Sequence, residues 1–147
     1  MEMKGKITEK QPSLCNCLNL RRASLAITKI YDQWLAPSGL TINQFGLLKH
    51  IKFLGPVSVS DLSLEIRLDR TTLVRNLKPL EKEGLIMDLS KKGTRNRQLQ
   101  LSRKGTERLK AAELLWMKAQ NFIEEHLGEE NIKKMTELLS MIEGLPL

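Results

Sequence analysis

The sequence predicts a mainly α-helical fold with one small β-hairpin, in the order α-α-β-α-α-β-β-α-α. Apolar residues recur at three- and four-residue steps through most of the chain, which is the period of an amphipathic helix. Residues 85–101 instead alternate with a two-residue period, which is typical of paired strands. The length of 147 residues fits a single domain with its own core.

The first two helices are predicted from their apolar spacing and their end signals. The first covers residues 13–35, and Pro37–Ser38–Gly39 ends it. Thr41 caps the second helix, Gln44 completes a capping box three residues later, and Gly55 lies near its end. The predicted buried residues of the second helix are Phe45, Leu48 and Ile51.

The third and fourth helices, residues 57–68 and 69–83, are separated by a short turn. Ser58 and Asp69 are their predicted N-caps, and Gly84 ends the fourth helix as a C-terminal glycine. The predicted buried residues of the fourth helix are Leu73, Leu77 and Leu80.

A β-hairpin over residues 85–101 follows, and its tip, residues 91–97, carries four positive charges. Helix, turn, helix and basic hairpin form the order of a winged helix-turn-helix, which lays its second helix in the DNA major groove. Two helices, residues 102–127 and 129–142, complete the chain.

Residues 13–147 are predicted to form one domain, preceded by a flexible polar arm at residues 1–12. Residues 57–101 are its DNA-binding module. The first helix and the last two, residues 13–36 and 102–144, carry apolar stripes that this module is too small to cover. A second copy of the chain is the simplest partner, so a homodimer is predicted. The stripes are Cys17–Trp34, Leu109–Ile123 and Ile132–Ile142.

The net charge of +7 is unevenly distributed. Residues 1–56 carry eight basic and three acidic residues (+5), residues 57–104 eleven and six (+5), and residues 105–147 five and eight (−3). A basic surface gains affinity for nucleic acid by releasing counterions, so double-stranded DNA is the predicted partner. The chain has no apolar stretch near the roughly 18 residues of a membrane span and no signal-peptide core, so a cytoplasmic protein without membrane contact is predicted.

The fourth helix and the hairpin tip supply the candidate DNA contacts. These are Arg70, Thr71, Thr72, Arg75, Asn76 and Lys78 on the helix, and Lys91, Lys92, Arg95 and Arg97 on the tip. Arginine pairs well with guanine and asparagine with adenine, so Arg75 and Asn76 are the predicted base readers. Arg70 and Lys78 are equally suited to phosphate. Asp69 is predicted to cap its helix, because phosphate repels a carboxylate.

These segments resemble the multiple-antibiotic-resistance regulator (MarR) family. Asp69–Leu73 leading to Leu80–Ile86 is similar to its recognition helix, and Leu101–Gly105 to its exit from the wing. Gly39–Thr41, followed by Gln44, fits the start of its second helix. The resemblance implies a homodimeric winged-helix transcriptional regulator whose terminal helices make the dimer. It also implies a palindromic operator, from which a small molecule or an oxidant releases the protein.

One position departs from the family pattern. The family has an Asp two residues before the Arg that corresponds to Arg95, and the two hold the wing in shape. Gly93 occupies the Asp position in this chain. The wing is therefore expected to lack that ion pair.

The two cysteines, Cys15 and Cys17, form neither a zinc site nor a favourable disulfide, because two ligands are too few and the spacing strains the bridge. The register of Cys17 and Tyr31 resembles a peroxide-sensing branch of the family, in which tyrosines hydrogen-bond an early cysteine. Tyr31 is the sole tyrosine. The alternative is that Cys17 is a small core residue.

A ligand site is predicted where the DNA-binding module meets the dimer helices. Its candidate residues are Trp34, Leu35, Phe45 and His50. An apolar, aromatic cleft with one polar group suits a small aromatic acid or a phenol. The alternative is that Trp34 and Phe45 are ordinary core residues.

No sequence motif indicates an enzyme, a metal site or a cofactor. The chain has no Ser/His/Asp order, no glycine-rich phosphate loop and no paired carboxylates in an apolar setting. The predicted function is a DNA-binding transcriptional regulator, expected to be a repressor. The alternative is a winged helix that serves as a protein-interaction module without sequence-specific DNA binding.

Overall fold

The computed structural model describes residues 5–91 and 96–147, in which six α-helices accompany a two-stranded antiparallel sheet. In chain order the elements are α1 (Asn16–Leu35), α2 (Ile42–Leu54), α3 (Val59–Ile66), α4 (Arg70–Lys82), β1 (Ile86–Asp88), β2 (Leu99–Leu101), α5 (Arg103–Leu127) and α6 (Glu129–Glu143). A short 3-10 turn, Ala36–Ser38, joins α1 to α2. The predicted fold class, a mainly helical winged helix-turn-helix, is confirmed.

Helices α2, α3 and α4 and the hairpin enclose the main core, and we call residues 40–101 the reading head. Leu48, Leu62, Leu73 and Leu80 have no solvent exposure. The predicted buried sides of α2 and α4 therefore do face inward. Their apolar contact is the dominant stabilising force in a domain of this kind.

The local signals at the helix ends act as the sequence indicates. Gln44 N donates to Thr41 Oγ1 at 3.2 Å, and Thr41 N donates to Gln44 Oε1 at 3.0 Å, which completes the capping box. Ser58 Oγ accepts from the Asp61 N–H at the start of α3. Gly84 has a φ of 72°, which an L side chain rarely adopts, and it ends α4.

The third helix begins later than predicted because Val57 belongs to the sheet. Val57 and Leu99 exchange backbone hydrogen bonds of 3.0 and 2.8 Å, so Val57 adds a one-residue bridge to β2. This bridge is the β position predicted between the second and third helices. The β1–β2 register places Ile86 opposite Leu101. Met87 and Leu89, which share the two-residue period, are exposed.

The terminal helices α1, α5 and α6 are less completely buried than the reading head. Leu35 is the only buried residue of α1, and α6 has none. Cys17 is exposed, so it is not a core residue within one chain. The carboxyl-terminal half of α1 does pack on α5, where Tyr31 Oη donates to Gln120 Oε1. None of the helices in the described residues is both long and apolar enough to cross a membrane.

Candidate nucleic-acid interface

The amino end of α4 is held by its own N-cap and by a tight turn. Arg67 adopts a left-handed φ of 56° and donates its N–H to Ser63 O, which ends α3. Asp69 then accepts hydrogen bonds from Thr72 N at 2.8 Å and from Thr72 Oγ1 at 2.6 Å. The side-chain bond first, and the backbone bond after it, lower the pKa of Asp69. Asp69 is therefore the N-cap of α4, as predicted.

The carboxyl end of α4 is clamped by the first turns of α5. Lys104 Nζ donates to Glu83 O at 2.9 Å, and Arg108 Nη1 donates to Glu83 Oε2 at 3.2 Å. Two cations thus meet the negative end of the helix dipole. A Cβ on Gly105 would lie 2.0 Å from Leu85 O, so only glycine permits this close approach. The orientation of α4 is therefore tied directly to α5.

The exposed face of α4 is basic. Arg70, Thr71, Arg75 and Lys78 are exposed, whereas Val74 is half-buried. These five side chains line a surface depression of about 390 Å³. Sequence reasoning missed Val74, because an apolar residue next to Leu73 was not considered for the outer face.

Two predicted contacts lie on a different flank of α4. Thr72 and Asn76 are half-buried and line a groove of about 380 Å³ together with Asn43 and His50 of α2. The Thr72 hydroxyl is also bonded to Asp69. The six predicted contacts on α4 therefore divide into two sets, and four of them share the basic face.

The base of the wing is fixed by a carboxylate–guanidinium cluster. Arg97 Nε donates to Asp88 Oδ2 at 3.1 Å, and Arg97 Nη2 is hydrogen-bonded to Glu81 Oε1 on α4. Asp88 Oδ1 also accepts from Ser90 Oγ at 2.6 Å, from Ser90 N and from Gln98 N. These bonds, led by the Ser90 hydroxyl, hold the pKa of Asp88 well below its usual range.

This cluster gives Arg97 partners that the sequence prediction did not include. Its guanidinium joins the wing to α4, while its predicted contact with DNA stays a prediction. Lys91 is exposed at the edge of the tip. The predicted contacts Lys92 and Arg95, and the departure at Gly93, lie outside the described residues.

None of the cavities described for residues 5–91 and 96–147 is lined by all four residues that were predicted to form a ligand site. Leu35 and Phe45 are buried in the core, and the Phe45 ring stacks on Trp116 at a centroid distance of 5.8 Å. Trp34 packs against Phe122, and its Nε1 is buried without a hydrogen-bond partner among the described residues. His50 alone of the four lines the α2–α4 groove, where its Nδ1 lies 2.7 Å from Gly46 O. The predicted ligand site stays a prediction.

The predicted redox pair is not formed within one chain. Cys17 and Tyr31 are fourteen residues apart on α1, a separation of about 21 Å along a helix axis. Tyr31 instead bonds to Gln120, and burial, followed by the charge of Glu124, raises its pKa. Among residues 5–91 and 96–147, no three His, Cys, Asp or Glu side chains are grouped so that they could hold a metal ion.

Known proteins resemble this chain in both sequence and fold. The model of the MarR family matches residues 40–93. The transcriptional regulator MosR of M. tuberculosis, solved in complex with DNA, is 31% identical; the match covers 90% of this chain and 99% of that one, with a TM-score of 0.77. No curated protein sequence matches the chain significantly.

More distant structures share the fold. The repressor CouR, bound to a 23-mer DNA duplex, is 24% identical over 88% of this chain and 92% of its own, with a TM-score of 0.76. The MepR–DNA complex of S. aureus is 20% identical over 90% of this chain and 100% of its own, with a TM-score of 0.75. The family model and the MosR match confirm the resemblance found in the sequence: the chain belongs to the MarR family of transcriptional regulators.

Proposed function

We propose that this protein is a transcriptional regulator that binds a palindromic operator as a homodimer, with α4 in the major groove. The observation that carries this proposal is the basic outer face of α4, formed by Arg70, Thr71, Arg75 and Lys78. The helix is fixed at both ends by Asp69 and by α5, as a groove-reading helix requires. We propose repression, by occupation of the operator, as its mode of action in the cytoplasm, with binding rather than catalysis as its activity.

The terminal helices supply the support for a dimer. Leu138 and Leu139 on α6 are 58% and 41% exposed, and an apolar cavity of about 560 Å³ opens between α1 and the α5–α6 end. Ala26, Ile30 and Phe122 are among the residues that line it. A second copy of the same surface would cover these groups with closed two-fold symmetry.

Operator binding is tested with the DNA that the purified protein selects from a random pool. We expect affinity for that duplex to fall steeply with salt, because phosphate contacts release counterions. Arg75→Ala should cost about 1–3 kcal/mol per half-site and relax the preference for one base pair. The matched control is Lys118→Ala, which removes an exposed cation midway along α5 and should leave affinity unchanged.

The result also separates the two function classes. Wild-type affinity and selectivity in Arg75→Ala would contradict the placement of α4. A protein that binds no duplex DNA at low salt would instead be a winged-helix interaction module.

We further propose that a small aromatic acid or phenol, or an oxidant, releases the protein from its operator. A ligand in the groove beside His50 would contact Thr72 and Asn76, and through them it would contact α4 directly. A switch of this kind needs only a few kcal/mol of differential binding. The oxidant route assigns the sensing role to Cys17, whose thiol is exposed within one chain.

The two routes give different results. Under mild hydroperoxide, the wild type should leave its operator, whereas Cys17→Ser should remain bound, with unchanged affinity for the reduced form. Under salicylate-like acids, the wild type should leave its operator and His50→Ala should respond less. A wild type that keeps its DNA under both treatments would contradict effector release.

A further inference from the structure

Val74 differs from the other apolar residues of α4 because it reaches the outer face. Leu73 and Leu77 are fully buried, whereas Val74 only partly packs against the core. The rest of its side chain lines the depression on the basic face. It is the one apolar residue among the five that line this depression.

Val74 also lies deeper than its neighbours in that depression. Arg70, Thr71, Arg75 and Lys78 are exposed, while Val74 is half-buried between them. The three cations suit the phosphates of a duplex, and they would bring a base-pair edge close to the two methyl groups of the valine. A charged or strongly polar group placed against those methyl groups would lose hydration without gaining a hydrogen bond.

One feature of the major groove fits an apolar contact. Thymine alone among the four bases presents a C5-methyl group there, and apolar side chains recognise it. We propose that Val74 reads a thymine methyl group in each operator half-site and so determines a preference for thymine at that position. This inference rests on the proposed DNA binding by α4 and names the chemical group that the helix recognises.

The test removes the methyl group and nothing else. In the selected operator, each thymine is replaced in turn by deoxyuridine, in both half-sites together, and Kd is measured for each duplex. At one position the affinity of the wild type should fall about fourfold per half-site, the factor expected for burial of a single methyl group. For the two half-sites together it should fall about 15-fold. Val74→Ala should bind the thymine and uracil duplexes equally at that position.

The measured quantity is a ratio of two Kd values for one protein, so a partial loss of stability in Val74→Ala cancels out. Val74→Thr keeps one methyl group and should retain part of the ratio. Lys118→Ala, at an exposed position on α5 away from α4, is the control and should keep the whole wild-type ratio.

Three results would overturn the inference. The first is a wild type that is indifferent to every uracil substitution, and the second is a Val74→Ala variant with the same ratio as the wild type. In both, specific DNA binding persists and the proposed function stands. The third is a wild type that binds no duplex DNA, which overturns the proposed function as well.

Discussion

The reading head and the terminal helices differ in how completely one chain buries their apolar side chains. Leu48, Leu62 and Leu77 in the head have at most 1% exposure. On α6, Leu138 and Ile142 are 58% and 42% exposed. The head therefore buries its apolar side chains within a single chain, whereas the terminal helices leave apolar surface exposed, as an interface for a second copy would.

The two regions meet at a tightly packed junction. Leu35 of α1 and Leu109 of α5 are both fully buried in the core that they share with the head. Ile42 N donates to Asp32 Oδ1 at 2.8 Å, which joins α1 to the start of α2. Together with the Arg108–Glu83 ion pair, these contacts join the terminal helices to the head and to the carboxyl end of α4. The terminal helices are therefore joined to α4 by direct contacts.

The largest expected effect comes from placing charge on the uncovered surface. Leu139→Glu combined with Ile142→Glu should convert the dimer into a folded monomer, because burying carboxylates without partners costs several kcal/mol each. Sedimentation should show the mass falling from about twice the 16.8 kDa chain mass to 16.8 kDa. Leu64→Glu is the control, since Leu64 is 77% exposed on α3 and should not change the mass. A wild type that sediments as a monomer would contradict the comparison.

The next prediction compares how much stability is lost when a leucine is truncated in each of the two regions. In the monomeric variant, Leu77→Ala should lower the free energy of unfolding by about 2–5 kcal/mol, because it leaves a cavity in a filled core. Leu138→Ala in the same background should cost less than about 0.5 kcal/mol, as an exposed position does. Urea unfolding followed by circular dichroism gives both values. Similar costs at the two positions would show that α6 is already buried within one chain.

The sequence was sufficient for the parts of the head that depend on local signals. The caps at Thr41, Ser58 and Asp69 and the glycine at position 84 act within four residues, so their effects are visible in the order of residues. The 3.6-residue period likewise identifies Leu73, Leu77 and Leu80 as inward-facing. These signals together placed α4, and thereby most of the candidate DNA contacts.

The sequence was insufficient wherever the decisive partner is distant along the chain. Arg97 meets Glu81, sixteen residues away, and nothing in either segment alone indicates the pair. Asn76 lies beside α2 because of the crossing of two helices, which helical periodicity does not describe. Phe45 is compatible with a pocket or a core, and its stacking on Trp116 decides for the core.

A smaller effect is expected from Glu81→Gln, which tests whether Arg97 connects the wing to the head. Glu81→Gln removes a negative charge near the DNA face, which by charge alone should strengthen DNA binding. If Glu81 positions the wing through Arg97, operator affinity should instead fall by up to about fivefold, the factor for an exposed pair worth ~1 kcal/mol. Glu65→Gln on α3 is the control and should leave affinity equal or slightly higher. Tighter binding by Glu81→Gln would rule out the positioning role.

The smallest effect is the pH dependence that the same cluster gives to the head. The hydrogen bonds from Ser90, Gln98 and Arg97 lower the pKa of Asp88 in the folded protein below its unfolded value of 3.8. A lowered folded-state pKa means that the stabilisation is complete above about pH 4 and is lost as the pH falls below it toward the folded-state value. Because the Asp88 side chain is 29% exposed, solvent screening should keep the contribution below about 1 kcal/mol.

Asp88→Asn isolates this contribution, because asparagine has the same shape and does not titrate. We expect the variant to be slightly less stable than the wild type from pH 7 to about pH 4. Below about pH 4 the difference should shrink, because the carboxyl group then takes up a proton in the unfolded wild type while it stays ionised in the folded one, which favours unfolding. Urea unfolding of both proteins at a series of pH values gives the difference directly. A gap that stays constant down to pH 2.5 would mean that the charge of Asp88 adds nothing to the attachment of the wing.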